Sequence, residues 1–207
     1  MRLLAVGIVA FGWAAGFPLT ALAQADPAAA RTKGRPNAPV VVYEMSDFEC
    51  PYCRDFSLHT FPSIEREFIR SGKVRWTFIN LPLPSVHQHA MLAAEVAMCA
   101  GRQGKFWPVH DRLYQRQSTW AARQDAHASL LALAESAGVN RARLAACMSS
   151  GTTRPAIAAD TAAAHRAGAR TTHTFFIEGG LIEGAAPIEV FREVLDSVYQ
   201  SKTDTVH

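Results

Sequence analysis

The order of apolar and polar positions sets out most of the elements. Residues 40–46 (Val-Val-Val-Tyr-Glu-Met-Ser) are nearly all apolar and β-rich, as a central strand buried on both faces should be. Glu44 is the one charge in the run. A helical pattern begins near Cys50 and extends to about Arg70, with Phe56, Phe61, Ile64 and Phe68 forming a broad apolar face. Pro62 has no N–H to give the ladder, so a kink or a break is expected there. Ser71-Gly72 ends the helix. Residues 74–80 (Val-Arg-Trp-Thr-Phe-Ile-Asn) are a second strand. Strand, helix and strand at this spacing predict a right-handed parallel crossover.

Pro82 and Pro84 end that strand, and no further strand pattern appears before residue 158. Short helices are expected at 90–101, 106–114, 128–137 and 141–148, with Gly104, Gly138-Val139-Asn140 and Gly151 between them. A helix at 156–167, capped by Gly168, leads on to a third strand at 174–177. Glu178-Gly179-Gly180 predicts a hairpin turn into a fourth strand at 181–184. Pro187 opens a last helix, 188–199, with Val190, Phe191, Val194, Leu195 and Val198 on one face. The tail 201–207 is expected to fray. The organisation is an α/β frame, residues 40–81 and 158–200, carrying an inserted helical subdomain, 82–157. Ala25 to Pro39 is rich in Ala, Pro and small polar residues, and 24–39 is expected to be a linker.

Composition narrows the class without naming a chemistry. The 207 residues are 49% hydrophobic and 19% charged, which fits a packed domain rather than a disordered chain. A net charge of +3, without a Lys/Arg run, gives no footprint for nucleic acid. The N-terminus reads as an export signal covering residues 1–23. Arg2 precedes an uncharged, mostly apolar run from Leu3 to Phe17, Gly16 and Pro18 break it, and Ala21-Leu22-Ala23 offers small residues for cleavage before Gln24. An uncleaved membrane anchor is the alternative, and the Gly, Pro and Ala-x-Ala features favour cleavage over it. Loss of Arg2 leaves 3 − 1 = +2.

Export changes how the four cysteines are read. In an oxidising compartment four cysteines most simply form two disulfides, and three pairings are possible. Cys50 and Cys53 lie three positions apart, where a strand gives way to a helix. A thiol at a helix N-terminus is favoured as thiolate by unpaired N–H groups and the helix dipole. A second thiol one turn away can close a disulfide with it. If these two act as a redox pair, Cys99 and Cys147 remain, and together they read as a structural staple worth about 3–4 kcal/mol. A zinc site has less support, because no second pair of cysteines has zinc-like spacing.

The segment Ser-Asp-Phe-Glu-Cys-Pro-Tyr-Cys (46–53), the segment from Cys99 to Tyr114 and the segment Thr-Thr-His-Thr-Phe-Phe-Ile-Glu-Gly-Gly (171–180) resemble the DsbA-like branch of the thioredoxin fold. That branch comprises bacterial exported disulfide oxidoreductases. The resemblance covers about residues 36–200 and implies a thioredoxin-like α/β fold, β-α-β … α-β-β-α, with an inserted helical subdomain. It implies Cys50 as an exposed nucleophile, Cys53 as the buried resolving thiol and Glu44 as a buried catalytic acid beneath the pair, where a carboxylate can take or give the proton of the inner thiol. Pro51, Tyr52, Thr172 and His173 are then expected on the peptide-binding side. One position departs from the family pattern. His173 stands where a cis-proline precedes the third strand, and a cis bond before a non-proline residue costs about 3–4 kcal/mol. His173 is expected beside Cys50, where a protonated ring would stabilise the thiolate.

Other candidates carry less. His87 and His89 diverge on a helix, so a shared metal is not expected. His110-Asp111 suggests a hydrogen-bonded pair with a packing role. Phe106, Trp107 and Tyr114 read as core, and Ser46 gives no hydrolase signal. No cofactor or metal is implied. The expected function is a periplasmic dithiol oxidase acting on exported protein thiols and reoxidised by a membrane partner. A reductase or isomerase of the same fold, or a non-catalytic binding or chaperone module altered at His173, are the alternatives.

Overall fold

The computed structural model describes residues 28–184 and 186–204, and the expected export signal and the end of the tail lie outside them. Five strands form one sheet in the order β1-β3-β2-β4-β5: Thr32–Lys33, Val40–Ser46, Val74–Asn80, Thr174–Ile177 and Gly180–Glu183 in chain order. β2 and β3 are parallel, with Val40 opposite Val74 and Glu44 opposite Phe78. β4 runs antiparallel to β2, placing Phe175 opposite Glu44. The β4–β5 hairpin turns on Glu178 (φ 47°) and Gly179 (φ 94°), both left-handed as a two-residue turn that follows the sheet twist requires.

The segment expected as a linker is partly built into the fold. Residues 29–31 form a 3-10 turn, and β1 adds an antiparallel edge to β3. Arg31 is buried and pairs with Asp160, whose carboxylate also accepts from Asn80 N–H (3.1 Å) and Asn80 Nδ2 (2.7 Å). Gly34 follows at φ 99°, and a Cβ there would lie 2.3 Å from the Val74 carbonyl oxygen. No side chain fits that approach. Composition suggested a tether because the anchors are a single arginine and a two-residue edge strand.

The helix after β2 continues past Pro62 but changes its winding on the way. α1 (Pro51–Asp55) runs through a π turn at Phe56–Thr60 into α2 (Phe61–Ile64) and a second π turn at Glu65–Ile69. Pro62 therefore causes no break. The Phe61 N–H reaches back to the Phe56 carbonyl, and a five-residue spacing absorbs the residue that cannot donate. The inserted region 82–157 is helical as expected: α3 (Ala90–Gly101), α4 (Phe106–Gln115), α6 (His127–Ser136) and α7 (Arg141–Ser150), plus a short α5 (Gln117–Ala121) that the pattern did not show. α8 (Arg154–Arg166) starts inside the insert and crosses its expected boundary. α9 (Ile188–Asp204) continues five residues beyond the expected end, and Thr203 Oγ1 donates to the Tyr199 carbonyl (3.0 Å).

Three apolar clusters hold these layers. One face of the sheet (Val40, Val42, Val74, Trp76, Phe175) packs on Phe56, Phe61, Ile64 and Phe68 and on Phe191 and Leu195 of α9. Met45 and Leu81 pack on Ala164 and Ala169 on the other side. The third cluster is the core of the helical region, and it includes Phe48, Cys50, Cys53, Tyr114 and Trp120. Both sulfurs of the Cys50–Cys53 pair thus sit at the seam between the sheet frame and the helical region.

Candidate active site

Residues two apart on a strand point the same way, so β2 presents Glu44 and Ser46 on one face, both 1% exposed. The chain then turns through residues 47–49 and enters α1. Cys50 is the N-cap residue in extended backbone, and Pro51 occupies the first turn, where an absent N–H is no loss. Cys53 follows within the first turn of the helix, and neither cysteine is in a disulfide.

The two sulfurs are in opposite electrostatic environments. Cys50 is drawn down to about 5, first because the Cys53 thiol donates to it. Burial opposes this, while the Thr172 hydroxyl and the backbone N–H groups of Cys53 and Tyr52 add to it. Cys53 is pushed well above the usual thiol range by burial first, and then by Cys50, which accepts the Cys53 S–H hydrogen bond and is a neighbouring charge. The Asp47 backbone and the Ser46 hydroxyl act the other way. Such a split puts the negative charge on the N-cap sulfur and the proton on the inner one.

Cys50 is less open than expected, at 3% exposed, while its neighbour Tyr52 is 68% exposed and Pro51 is also at the surface. The covering comes from outside the motif. Gln117 Nε2 donates to the carbonyls of Phe48 (2.8 Å) and Cys50 (2.9 Å), and Thr172 faces the sulfur. Gln117 belongs to α5, the helix that the sequence pattern did not reveal.

Glu44 and His173 form a buried pair. Glu44 Oε1 lies 2.9 Å from His173 Nε2, and Trp76 Nε1 donates to Oε2 at 2.8 Å. Burial alone would push the Glu44 carboxyl up. His173, by hydrogen bond and by charge, outweighs it with help from His110 and Trp76, and holds the carboxyl below its usual range. The His173 ring is fully buried, edge-on to Phe56 (centroids 4.5 Å apart) and 4.2 Å from Phe175. The Thr172–His173 peptide bond is cis.

These positions correct two expectations. His173 does not present its side chain to Cys50 or to the peptide-binding side; it turns inward to the only carboxylate on β2. Thr172 is the residue of that loop that reaches Cys50. Glu44 is buried as expected, and the Ser46 side chain hydrogen-bonds Cys53. Ser46 Oγ is also 2.8 Å from the Tyr114 hydroxyl, which donates to the Asp47 carbonyl at 3.3 Å. Burial first, then the charges at Cys53 and Glu44, push the Tyr114 phenol up, so it stays protonated. Strand alternation was the signal that could have found Ser46, two residues beyond Glu44. Nothing in sequence spacing pointed to Tyr114 or Gln117 as neighbours of the site.

The remaining candidates have structural partners. Asp47 accepts from the Glu49 N–H (2.8 Å) and Leu83 N–H (2.9 Å), and His87 Nδ1 is 2.9 Å away. Glu49 Oε2 accepts from the His89 N–H at 2.6 Å. The loop before α3 is thereby fastened to the residues just ahead of Cys50, and His87 and His89 serve different contacts. His110 Nδ1 is 2.9 Å from Asp111 Oδ1, within a shell of Phe48, Phe78, Trp107 and Tyr114. Cys99 of α3 and Cys147 of α7 are joined by a disulfide. Among the described residues no group of three or more His, Cys, Asp and Glu could hold a metal ion. No helix among them is long and apolar enough to cross a membrane.

Fold and site together define a thioredoxin-like protein with a helical insertion. The chain belongs to the thioredoxin family, whose model matches residues 28–197. Among solved structures, it is similar to oxidised BdbD from Bacillus subtilis (TM-score 0.74, 24% identity, 82% of this chain and 92% of that one). It is also similar to α-DsbA1 from Wolbachia pipientis (TM-score 0.76, 20% identity, 86% and 94%). At these identities the likeness establishes the fold. A probable disulfide bond formation protein D from Bacillus anthracis is 38% identical over 84 residues, covering 41% of this chain and 39% of that protein. The Na(+)/H(+) antiporter NhaA 3 of Salinispora tropica is 33% identical over 176 residues, 85% of this chain and 26% of the antiporter. The chain thus spans about a quarter of the antiporter's length and two fifths of the Bacillus protein's.

Proposed function

We propose that the protein is an exported thiol–disulfide oxidoreductase that works in the periplasm as a dithiol oxidase through Cys50 and Cys53. The observation that carries this reading is the asymmetry of two sulfurs one helical turn apart. Cys50 sits at the N-cap position of the helix beside Thr172, and Cys53 is enclosed beneath it. A stabilised thiolate favours the dithiol form, which makes the corresponding disulfide oxidising. The name of the Bacillus relative, a disulfide bond formation protein, supports the same class. Export rests on the N-terminal pattern, and a disulfide between Cys99 and Cys147 fits an oxidising compartment.

In the oxidising direction a substrate thiolate attacks Cys50 Sγ. The Cys50–Cys53 bond breaks, and Cys53 leaves as thiolate while the Ser46 hydroxyl and the Asp47 backbone stabilise it; burial then favours its protonation. A second substrate thiolate attacks the substrate sulfur of the mixed disulfide, and Cys50 leaves as a stabilised thiolate. The substrate loses two electrons and two protons; Cys53 takes up one proton, Cys50 remains a thiolate, and the second proton passes to solvent. Exported proteins with paired cysteines are the substrates, and a membrane redox partner restores the disulfide. Thr172, Pro51 and Tyr52 line the approach to Cys50. Glu44, locked to His173 and Trp76, acts as a fixed charge that positions the loop rather than as a free base.

Two measurements test this. Oxidised protein mixed with a reduced two-cysteine peptide is expected to form the peptide disulfide, and Cys50→Ser is expected to abolish it. Equilibration with glutathione is expected to give a reduction potential above about −180 mV, the oxidising end of the known range. A value below about −230 mV would assign the protein to reduction instead. Absence of Cys50-dependent turnover in either direction would leave a binding module.

A further inference from the structure

We propose that the Cys99–Cys147 disulfide is a second redox-reactive site, open to small thiols that carry a carboxylate. This is independent of the role of Cys50 and Cys53. Cys99 is fully buried, but Cys147 is only half-buried. A cavity of about 380 Å³ opens onto the bond between α3 and α7. Its lining contains two arginines, Arg102 and Arg143, and no acidic residue. Each arginine lies one helical turn from one cysteine, Arg102 three positions after Cys99 and Arg143 four before Cys147, so each shares a helix face with a sulfur. Thr152 Oγ1 is 3.8 Å from Cys147 Sγ and 3.4 Å from Arg102 Nη1, and Thr153 Oγ1 is 3.9 Å from Cys99 Sγ.

A staple meant only to hold two helices needs neither a cavity nor cationic walls. Guanidinium groups next to a sulfur stabilise its thiolate and make it a better leaving group. The same groups match a carboxylate in shape and charge. The thiolate of the small molecule attacks Cys147 Sγ, the accessible sulfur. The bond to Cys99 breaks, and Cys99 leaves as thiolate 3.9 Å from Thr153 Oγ1, in the cavity that Arg102 also lines. A second molecule of the thiol attacks the small-molecule sulfur of the mixed disulfide, and Cys147 leaves. Two small thiols depart as one disulfide, and Cys99 and Cys147 take up their two electrons and two protons.

The test uses the full-length chain with Cys50→Ser and Cys53→Ser, so that only the second pair reacts and failure of the active-site reading cannot imitate failure here. Reduction by mercaptoacetate (anionic) and cysteamine (cationic) is followed by alkylation and mass spectrometry, with rates expressed per thiolate. Mercaptoacetate is expected to react about tenfold faster than cysteamine at low salt, and by less than about twofold at 1 M salt, where charges are screened within a few ångströms. The first adduct is expected on Cys147. Arg102→Gln with Arg143→Gln is expected to remove the preference while circular dichroism is unchanged. No charge preference in the parent chain, a first adduct on Cys99, or a reduction rate independent of thiol concentration and equal to that of unfolding would each overturn the proposal.

Discussion

The molecule contains two pairs of cysteines, and their surroundings differ more than their sulfurs. Cys50 and Cys53 are three residues apart, enclosed at the seam between sheet and helical region, and polarised by hydrogen bonds into one thiolate and one thiol. Cys99 and Cys147 are 48 residues apart and tie two helices of the insert together beside an open, cationic cavity. Burial by itself does not separate the two pairs. Cys50 is 3% exposed and Cys99 is 0% exposed, so exposure ranks them nearly alike. What distinguishes Cys50 is directional: a thiol, a hydroxyl and two backbone N–H groups all point at one sulfur.

The largest expected effect separates the pairs by function. Cys50→Ser is expected to lower peptide oxidation by about a thousandfold or more, as loss of a nucleophile does. Cys99→Ser with Cys147→Ser is expected to leave that rate little changed in the same assay. Equal losses from both changes would erase the distinction.

The next effect concerns the buried pair that carries the Thr172 loop. His173→Leu leaves the Glu44 carboxylate enclosed with Trp76 as its remaining donor. Breaking a buried pair in this way costs about 3–5 kcal/mol, read by urea unfolding at neutral pH. The sign with pH is fixed by burial. Without His173 the folded-state carboxyl is pushed above its unfolded value, so the deficit shrinks as pH falls through the carboxylate range and grows as pH rises. A deficit that does not change with pH would mean that lost packing against Phe56 and Phe175, not charge, dominates. Removing the Cys99–Cys147 link is expected to cost slightly less, about 3–4 kcal/mol, through the freed loop of the unfolded chain.

The smallest effect reads the polarisation directly. Alkylation of the reduced protein is expected to follow a pH profile with a midpoint at about 5. Thr172→Val, which removes one donor to the thiolate, is expected to move that midpoint up by about one pH unit. The linked stability has a definite direction. Cys50 is drawn below its ordinary value of 9.0, so its contribution to the reduced fold is complete above that value, declines as pH falls, and is gone below about 5. A midpoint near that of a free thiol would sink the claim that the N-cap position and Thr172 polarise the pair.

Elements with local signals were legible along the chain. Mostly apolar, β-rich runs marked β2 and β4, helical spacing marked α3, α4 and α9, and Cys-Pro-Tyr-Cys after a strand located the site. With Cys50 and Cys53 taken together, Cys99 and Cys147 were left for each other. Contacts between residues far apart in the chain left no local signal and emerge only from the packing of the elements. Arg31 is buried because Asp160, 129 residues on, and the Phe78 carbonyl receive it. Gln117 covers Cys50 from a five-residue helix too short to leave a periodic pattern. Ser46 and Tyr114 meet across 68 positions beneath Cys53. His173 shows the division most clearly. Its sequence position beside the active-site loop suggested a ring turned to Cys50. In the sheet, β4 lies against β2 with Phe175 opposite Glu44, so the ring just before β4 falls next to a buried carboxylate and points there instead. Local pattern fixes what each segment is; which charges must neutralise one another follows only from which strands become neighbours.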